Sequence, residues 1–150
     1  MNRCIQTTLI VLGILALPCV TFADPTLLEV MFARNVVLRE PVDPFVPGAY
    51  CNNQDKPVGP IPVINSKIEP RVYLWSLFIN GSEGLLHHSW IKDGVEQYSE
   101  DLKIGESGWW RSWSSKDINP KSDRGNWKVV VSTVDPSGIK VLCQAYFRIE

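Results

Sequence analysis

Three groups of residues carry functional groups at spacings that invite a chemical reading. Ser112, Ser114, Ser115 and Lys116 set hydroxyls beside an amine, as in a serine–lysine nucleophile pair. That chemistry needs a buried lysine with a lowered pKa and an oxyanion hole. Lys116 stands instead in a polar stretch followed by Asp117, where an ammonium keeps its charge and its water. Ser114 or Ser115 fits better as the cap of a short turn. His87–His88 is the second group, an apparent pair of metal ligands. Adjacent residues on a strand point to opposite faces, so the two rings cannot close on one ion. His88 shares its face with Leu86 and Trp90, as a hydrogen-bonded core or boundary residue. The third group is Trp109-Trp110-Arg111-Ser112-Trp113, which offers binding rather than catalysis.

Alternation sets Trp109, Arg111 and Trp113 on one face of a strand and Trp110, Ser112 and Ser114 on the other. The three indoles therefore cannot all point inward. Trp110, on the serine face, is expected to be partly exposed beside Arg111. Trp and Arg are enriched in interface hot spots, so the run reads as a contact for a protein partner. The same rings could instead stack on a glycan. A purely structural reading has them plug the edge of the fold or pack against a proline-rich loop. Trp75, Trp90 and Trp127 lie in apolar runs and belong to the core, with Trp127 between Val129 and Val131 and the opposite layer.

The chain that positions these groups has 150 residues, 45% hydrophobic and 21% charged, enough for one domain. Its longest apolar run, Leu9 to Leu17, follows Arg3 and precedes Pro18 and the small residues Thr21 and Ala23. That pattern is a signal peptide over residues 1–23, with the mature chain starting at Asp24. The apolar core is far shorter than the ~20 residues that span a bilayer, so no stable membrane span is expected after cleavage. Acylation of Cys19 is disfavoured by Pro18 directly before it. Removing the leader removes one charge, Arg3, and leaves 14 basic against 16 acidic side chains, a net charge of −2. A nucleic-acid partner would call for a basic face and is not expected.

Cys4 and Cys19 leave with the leader, so Cys51 and Cys143 remain in a compartment that permits disulfides, periplasmic or secreted. A Cys51–Cys143 bridge is expected; the plainer alternative makes Cys143 a small buried hydrophobe. Because Cys143 lies on an inward face, a bridge requires the loop carrying Cys51 to fold over the sheet. No cysteine spacing suggests zinc, and no cofactor is expected.

From 24 to 150 the sequence reads as a single all-β domain. Leu27 to Leu38 is one strand or two, ending at Arg39-Glu40-Pro41. Six prolines between Pro41 and Pro62 mark an irregular surface excursion carrying Cys51. Arg71 to Asn80 is a strand buried on both faces, followed by a turn at Asn80-Gly81. Leu85 to Lys92 and a strand from Val95 are joined by Asp93-Gly94, a type I′ hairpin signal. The WWRSWSS strand gives way to a loop marked by Ser114 to Asp117 and Asn119-Pro120, with room for one helical turn. Trp127 to Val134 alternates, Asp135-Pro136-Ser137-Gly138 is a turn, and Ile139 to Ile149 sets Ile139, Val141, Cys143, Ala145, Phe147 and Ile149 on one face. About seven strands with hairpin spacing predict an antiparallel, immunoglobulin-like β-sandwich. The bridge would not be the standard inter-sheet one, since Cys51 lies in the loop.

Several elements together resemble a known family: Arg39-Glu40-Pro41-Val42-Asp43, an aromatic strand, His88-Ser89-Trp90, Asp93-Gly94, Trp110 to Lys116, Gly125-Asn126-Trp127, and Val141-Leu142 before Phe147. Their order resembles that of the bacterial domain of unknown function 2914, from about Leu28 to Glu150. The resemblance implies an exported or periplasmic β-sandwich, often attached to membrane proteins, with no established activity. The long proline-rich insertion and Cys51 depart from that pattern. The expectation is a non-catalytic envelope accessory or binding module that contacts a protein partner through Trp109, Trp110, Arg111 and Trp113. A carbohydrate-binding module is the alternative and a hydrolase a much weaker one.

Overall fold

Strand-forming runs broken by two-residue turns fold here into two stacked sheets. The computed structural model describes residues 25–49, 51–81, 83–135 and 138–150. The leader over 1–23, the mature start at Asp24 and the turn residues Pro136 and Ser137 lie outside the described residues. The strands are β1 (Thr26–Val37), β2 (Glu40–Pro44), β3 (Val63–Ile64), β4 (Arg71–Gly81), β5 (Gly84–Lys92), β6 (Val95–Ile104), β7 (Ser107–Asp117), β8 (Gly125–Asp135) and β9 (Gly138–Ile149). One sheet has the order β2-β1-β4-β7 and the other β3-β9-β8-β5-β6. All pairings are antiparallel except β3 with β9. The all-β sandwich expected from the alternation is the observed fold.

Nine strands replace the expected seven because the proline-rich stretch is not irregular throughout. Pro41 and Pro44 lie within β2, an edge strand, where a missing N–H breaks no internal ladder. The β1–β2 turn puts Leu38 and Arg39 at φ of 50° and 70°, as a two-residue hairpin turn requires. Neither is a residue that favours that region, so the break expected at Arg39-Glu40-Pro41 takes a hairpin form that local composition did not specify. Asp93 and Gly94, at 48° and 87°, form the hairpin that was legible. β4 runs on through Gly81, which pairs with Ser107, so its turn falls later than Asn80-Gly81.

The inner faces meet around Phe147. Its ring lies 4.7 Å from Phe32 of the opposite sheet and 6.0 Å from both Trp90 and Trp127. Trp127, Val129 and Val131 are buried as expected. The single face read for β9 does not hold along its length. A bulge opposite Val131 and Ser132 inserts Leu142, which packs toward the core, while Ile139 and Val141 turn out to solvent. One extra residue reverses a period-two pattern.

The excursion carrying Cys51 lies alongside β9. Asn52 and Gln144 exchange backbone hydrogen bonds of 3.3 and 2.7 Å, and Arg148 N–H donates to Pro62 O at 2.9 Å. The Cys51–Cys143 disulfide ties it down, with Cα atoms 5.3 Å apart. Tyr146 Oη donates to Gln54 O at 2.8 Å. Cys143 itself is fully buried, and the loop reaches it along the edge of β9 rather than by folding over the sheet.

β1 pairs with β4 only as far as Ala33↔Tyr73, and beyond that it pairs with β2 alone. In a flat sheet β2 would lie two strands away from β4 and three from β7. Yet Arg39 O accepts Trp75 Nε1–H at 2.8 Å, and Glu40 reaches Arg111. The β1–β2 hairpin must therefore bend back across the outer face of its own sheet. That explains why Trp75, Leu77 and Ala33 are buried without joining the main core.

Candidate functional site

β7 is the last strand of its sheet and carries the tryptophan run between the two layers. Its faces are the reverse of the expectation based on polarity. Ser112 and Ser114 are buried, and Trp109, at 59% exposure, is the open indole. The reason is steric and polar complementarity. Trp90 and His88 fill the opposing layer, and only a small residue fits against them. The Ser114 hydroxyl accepts Trp90 Nε1–H at 3.0 Å and lies 2.8 Å from His88 Nδ1. Ser76 Oγ donates to Ser112 O at 3.2 Å. Serine on a strand signalled a small buried hydroxyl, not a wet face.

Trp110 follows these serines inward and is half-buried at the margin of the core, partly exposed as expected although its serine neighbours are not. Its ring occupies the space a side chain at Gly105 would need, since a Cβ there would lie 2.5 Å from the indole. The Arg39 guanidinium covers it, 5.1 Å from the ring centroid. On the outer face, Trp113 is half-buried beside its cross-strand partner Trp75. Arg111 Nε lies 2.7 Å from Glu40 Oε1 but out of line for a hydrogen bond. Arg39, Trp110, Arg111, Ser112 and Trp113, with Leu102 and Lys103 of β6, surround a groove of about 240 Å³ at the seam between the sheets.

The serine–lysine pair does not form. Ser114 is committed to Trp90 and His88. Lys116 turns to Asp123, 2.9 Å away, and lies 4.8 Å from the Trp127 ring. It is largely covered rather than solvated, and its acid is Asp123 rather than Asp117. Burial opposes charge on Asp123, but the Asn119 N–H and Lys116 hold its carboxyl below the usual range. No cap or helical turn occurs at Ser114 or Ser115, because β7 continues to Asp117. Tyr98 stacks on Trp90 at 5.8 Å and its hydroxyl donates to Ser115 O, joining β6 to β7.

The two histidines point to opposite faces. His87 Nδ1 lies 2.6 Å from Asp101 Oδ1 on the outer surface. His88 is fully buried, and burial, helped by its neighbour His87, pushes its pKa down to about 4. Its Nε2 has no hydrogen-bond partner among the described residues. No group of three His, Cys, Asp or Glu among the described residues is placed to hold a metal ion.

The structure thus brings Trp110, Arg111 and Trp113 around one groove and leaves Trp109 exposed along the same strand. Arg39, Glu40 and Lys103 were missed. Arg39-Glu40 stood in plain view as a motif, but only the folded-back hairpin shows that it meets Trp110-Arg111. Nothing in the sequence marks Lys103.

No curated protein matches the chain. A family model described as "Protein of unknown function (DUF2914)" matches residues 84–149, the span from β5 to β9. The match begins later than the resemblance from Leu28 suggested and omits the β1–β2 hairpin. Through these five strands, the match supports the resemblance to the DUF2914 family.

Proposed function

We propose that the protein is a non-catalytic, exported accessory module that contacts a protein partner through Trp109, Trp110, Arg111 and Trp113. The observation carrying this reading is the compact meeting of indoles and guanidinium groups on β7 and the β1–β2 hairpin. Trp and Arg dominate interface energetics. The lesser reading, a glycan platform, needs exposed coplanar rings, and Trp110 turns inward under Arg39 while Trp109 stands apart. A non-catalytic role is supported by the commitment of Ser114, His88 and Lys116 to internal bonds. A periplasmic or secreted location is supported by the leader pattern and by the disulfide, a bond favoured in oxidising compartments.

The test is affinity capture from cell-envelope extract with cross-linking, comparing the tagged protein with its Trp109→Ala and Arg111→Ala variants. A partner held by the parent and lost by both folded variants is expected. Equal recovery of every cross-linked protein by all three would sink the reading. Retention on immobilised glycans that depends on Trp109 would favour the alternative.

A further inference from the structure

The groove at the β6–β7 seam has a charge pattern that sets it apart. Three cations, Arg39, Lys103 and Arg111, line it with Trp110, Trp113 and Leu102, and none of the described lining residues is acidic. The groove beside Arg34 and Arg71 makes the contrast. There Arg34 holds Glu69 at 2.6 Å and Arg71 holds Asp117, so both guanidinium groups are neutralised within the chain. At the seam, no acid of the described residues lies within ion-pairing distance of Arg39 or Lys103. Arg111 has Glu40 beside it in a poor hydrogen-bonding geometry. A chain with more acidic than basic residues has gathered a local excess of positive charge against two indoles.

Like charges held together around an apolar wall repel, and an incoming anion relieves that repulsion. Guanidinium presents a planar fork that matches a carboxylate. The small groove with its indole and leucine walls suits a carboxylate on a short aliphatic stem. We infer that this groove receives an acidic side chain, glutamate or aspartate, from an extended segment of the protein partner, with an apolar neighbour against Trp113 and Leu102. The inference rests on the partner-binding reading above and names the chemistry that the partner must present. β7 is an edge strand, so an extended segment can approach along it.

The test uses the oxidised, folded protein labelled with ¹⁵N and titrated with acetyl-Leu-Glu-Leu-Glu-Leu-amide and with its glutamine twin. The indole N–H signals of Trp110 and Trp113 should move with the glutamate peptide and respond at least tenfold more weakly to the twin. A charged hydrogen bond contributes enough for such a factor. The Lys103→Gln and Arg39→Gln double variant should lose at least tenfold in affinity for the glutamate peptide. Lys103→Gln alone, at a side chain with no hydrogen bond or ion pair to a described residue, guards against misfolding and should give part of that loss. Unmoved indole signals, equal response to both peptides, or undiminished affinity in the variants would overturn the inference. Partner capture that depends on Trp109 but is indifferent to these charge changes would leave the partner reading standing without it. Capture indifferent to Trp109 would remove the partner reading itself.

Discussion

The two faces of β7 share one strand and one composition yet do opposite work. Inward, Ser112 and Ser114 are small and buried, and Ser114 is hydrogen-bonded to the other layer. Outward and at the seam, Trp109, Arg111 and Trp113 are large and at least partly open. Size and exposure are therefore inverted relative to polarity, and the lesson is that a neighbouring layer decides. A serine facing Trp90 and His88 gains a partner for each polar group. A serine facing water would have gained nothing.

Breaking the inner face should have the largest effect. Trp90→Ala removes a fully buried indole and leaves Ser114 short of a donor, at a cost of roughly 3–5 kcal/mol in denaturant titration. A loss below about 1 kcal/mol would mean that the inner face is not the scaffold. Acid provides a second test of comparable size. Below its ordinary pKa of 6.5, the His88 side chain takes up a proton in the unfolded chain, whereas in the folded chain it resists until about pH 4. Stability should fall as pH drops through that window, by roughly 3 kcal/mol in all. His88→Gln should flatten the titration there, and an unchanged slope would show that His88 does not carry it.

Ser114→Ala comes next. It strips a partner from two buried groups, and unmade buried hydrogen bonds cost about 1–3 kcal/mol. A milder effect would point to rearrangement or entry of water. Trp109→Ala should fall at the bottom of the scale, within about 0.5 kcal/mol of the parent, because its indole is mostly in water. If Trp109→Ala proved as destabilising as Trp90→Ala, the contrast between the faces would collapse and the binding surface with it.

Much of the scaffold was legible because it obeys local rules. Asp93-Gly94 dictates its turn, the apolar period of Trp127 to Val131 dictates its face, and two remaining cysteines dictate a bridge. The errors share one cause, since they depend on distant residues. The reading of the Ser112 and Ser114 face as wet failed because His88 and Trp90 are invisible from Ser114's position in sequence. The face of Ile139 and Val141 failed at a bulge that no turn residue announces. The break before Pro41 was legible, but not its tight hairpin form at Leu38–Arg39, because tertiary contacts with Trp75 and Arg111 hold a conformation that the local sequence disfavours. The candidate site was half read, since its β7 residues sit in one run while Arg39 and Lys103 arrive from elsewhere.

The excursion fastened at Cys51 has a bearing on how the molecule behaves in company. A strand whose outer amides stand open is a template on which another chain can build, and β9 has β8 along one side but only the two-residue β3 on the other. Residues 52 to 64 occupy its other side, at Gln144 and from Arg148 onward, and the disulfide keeps that cover in place. Oxidation thus holds a cover over this edge as well as supporting the fold. In reducing conditions the cover loosens and copies of the chain should recruit one another through β9, a rise in light scattering on adding reductant that the oxidised protein does not show.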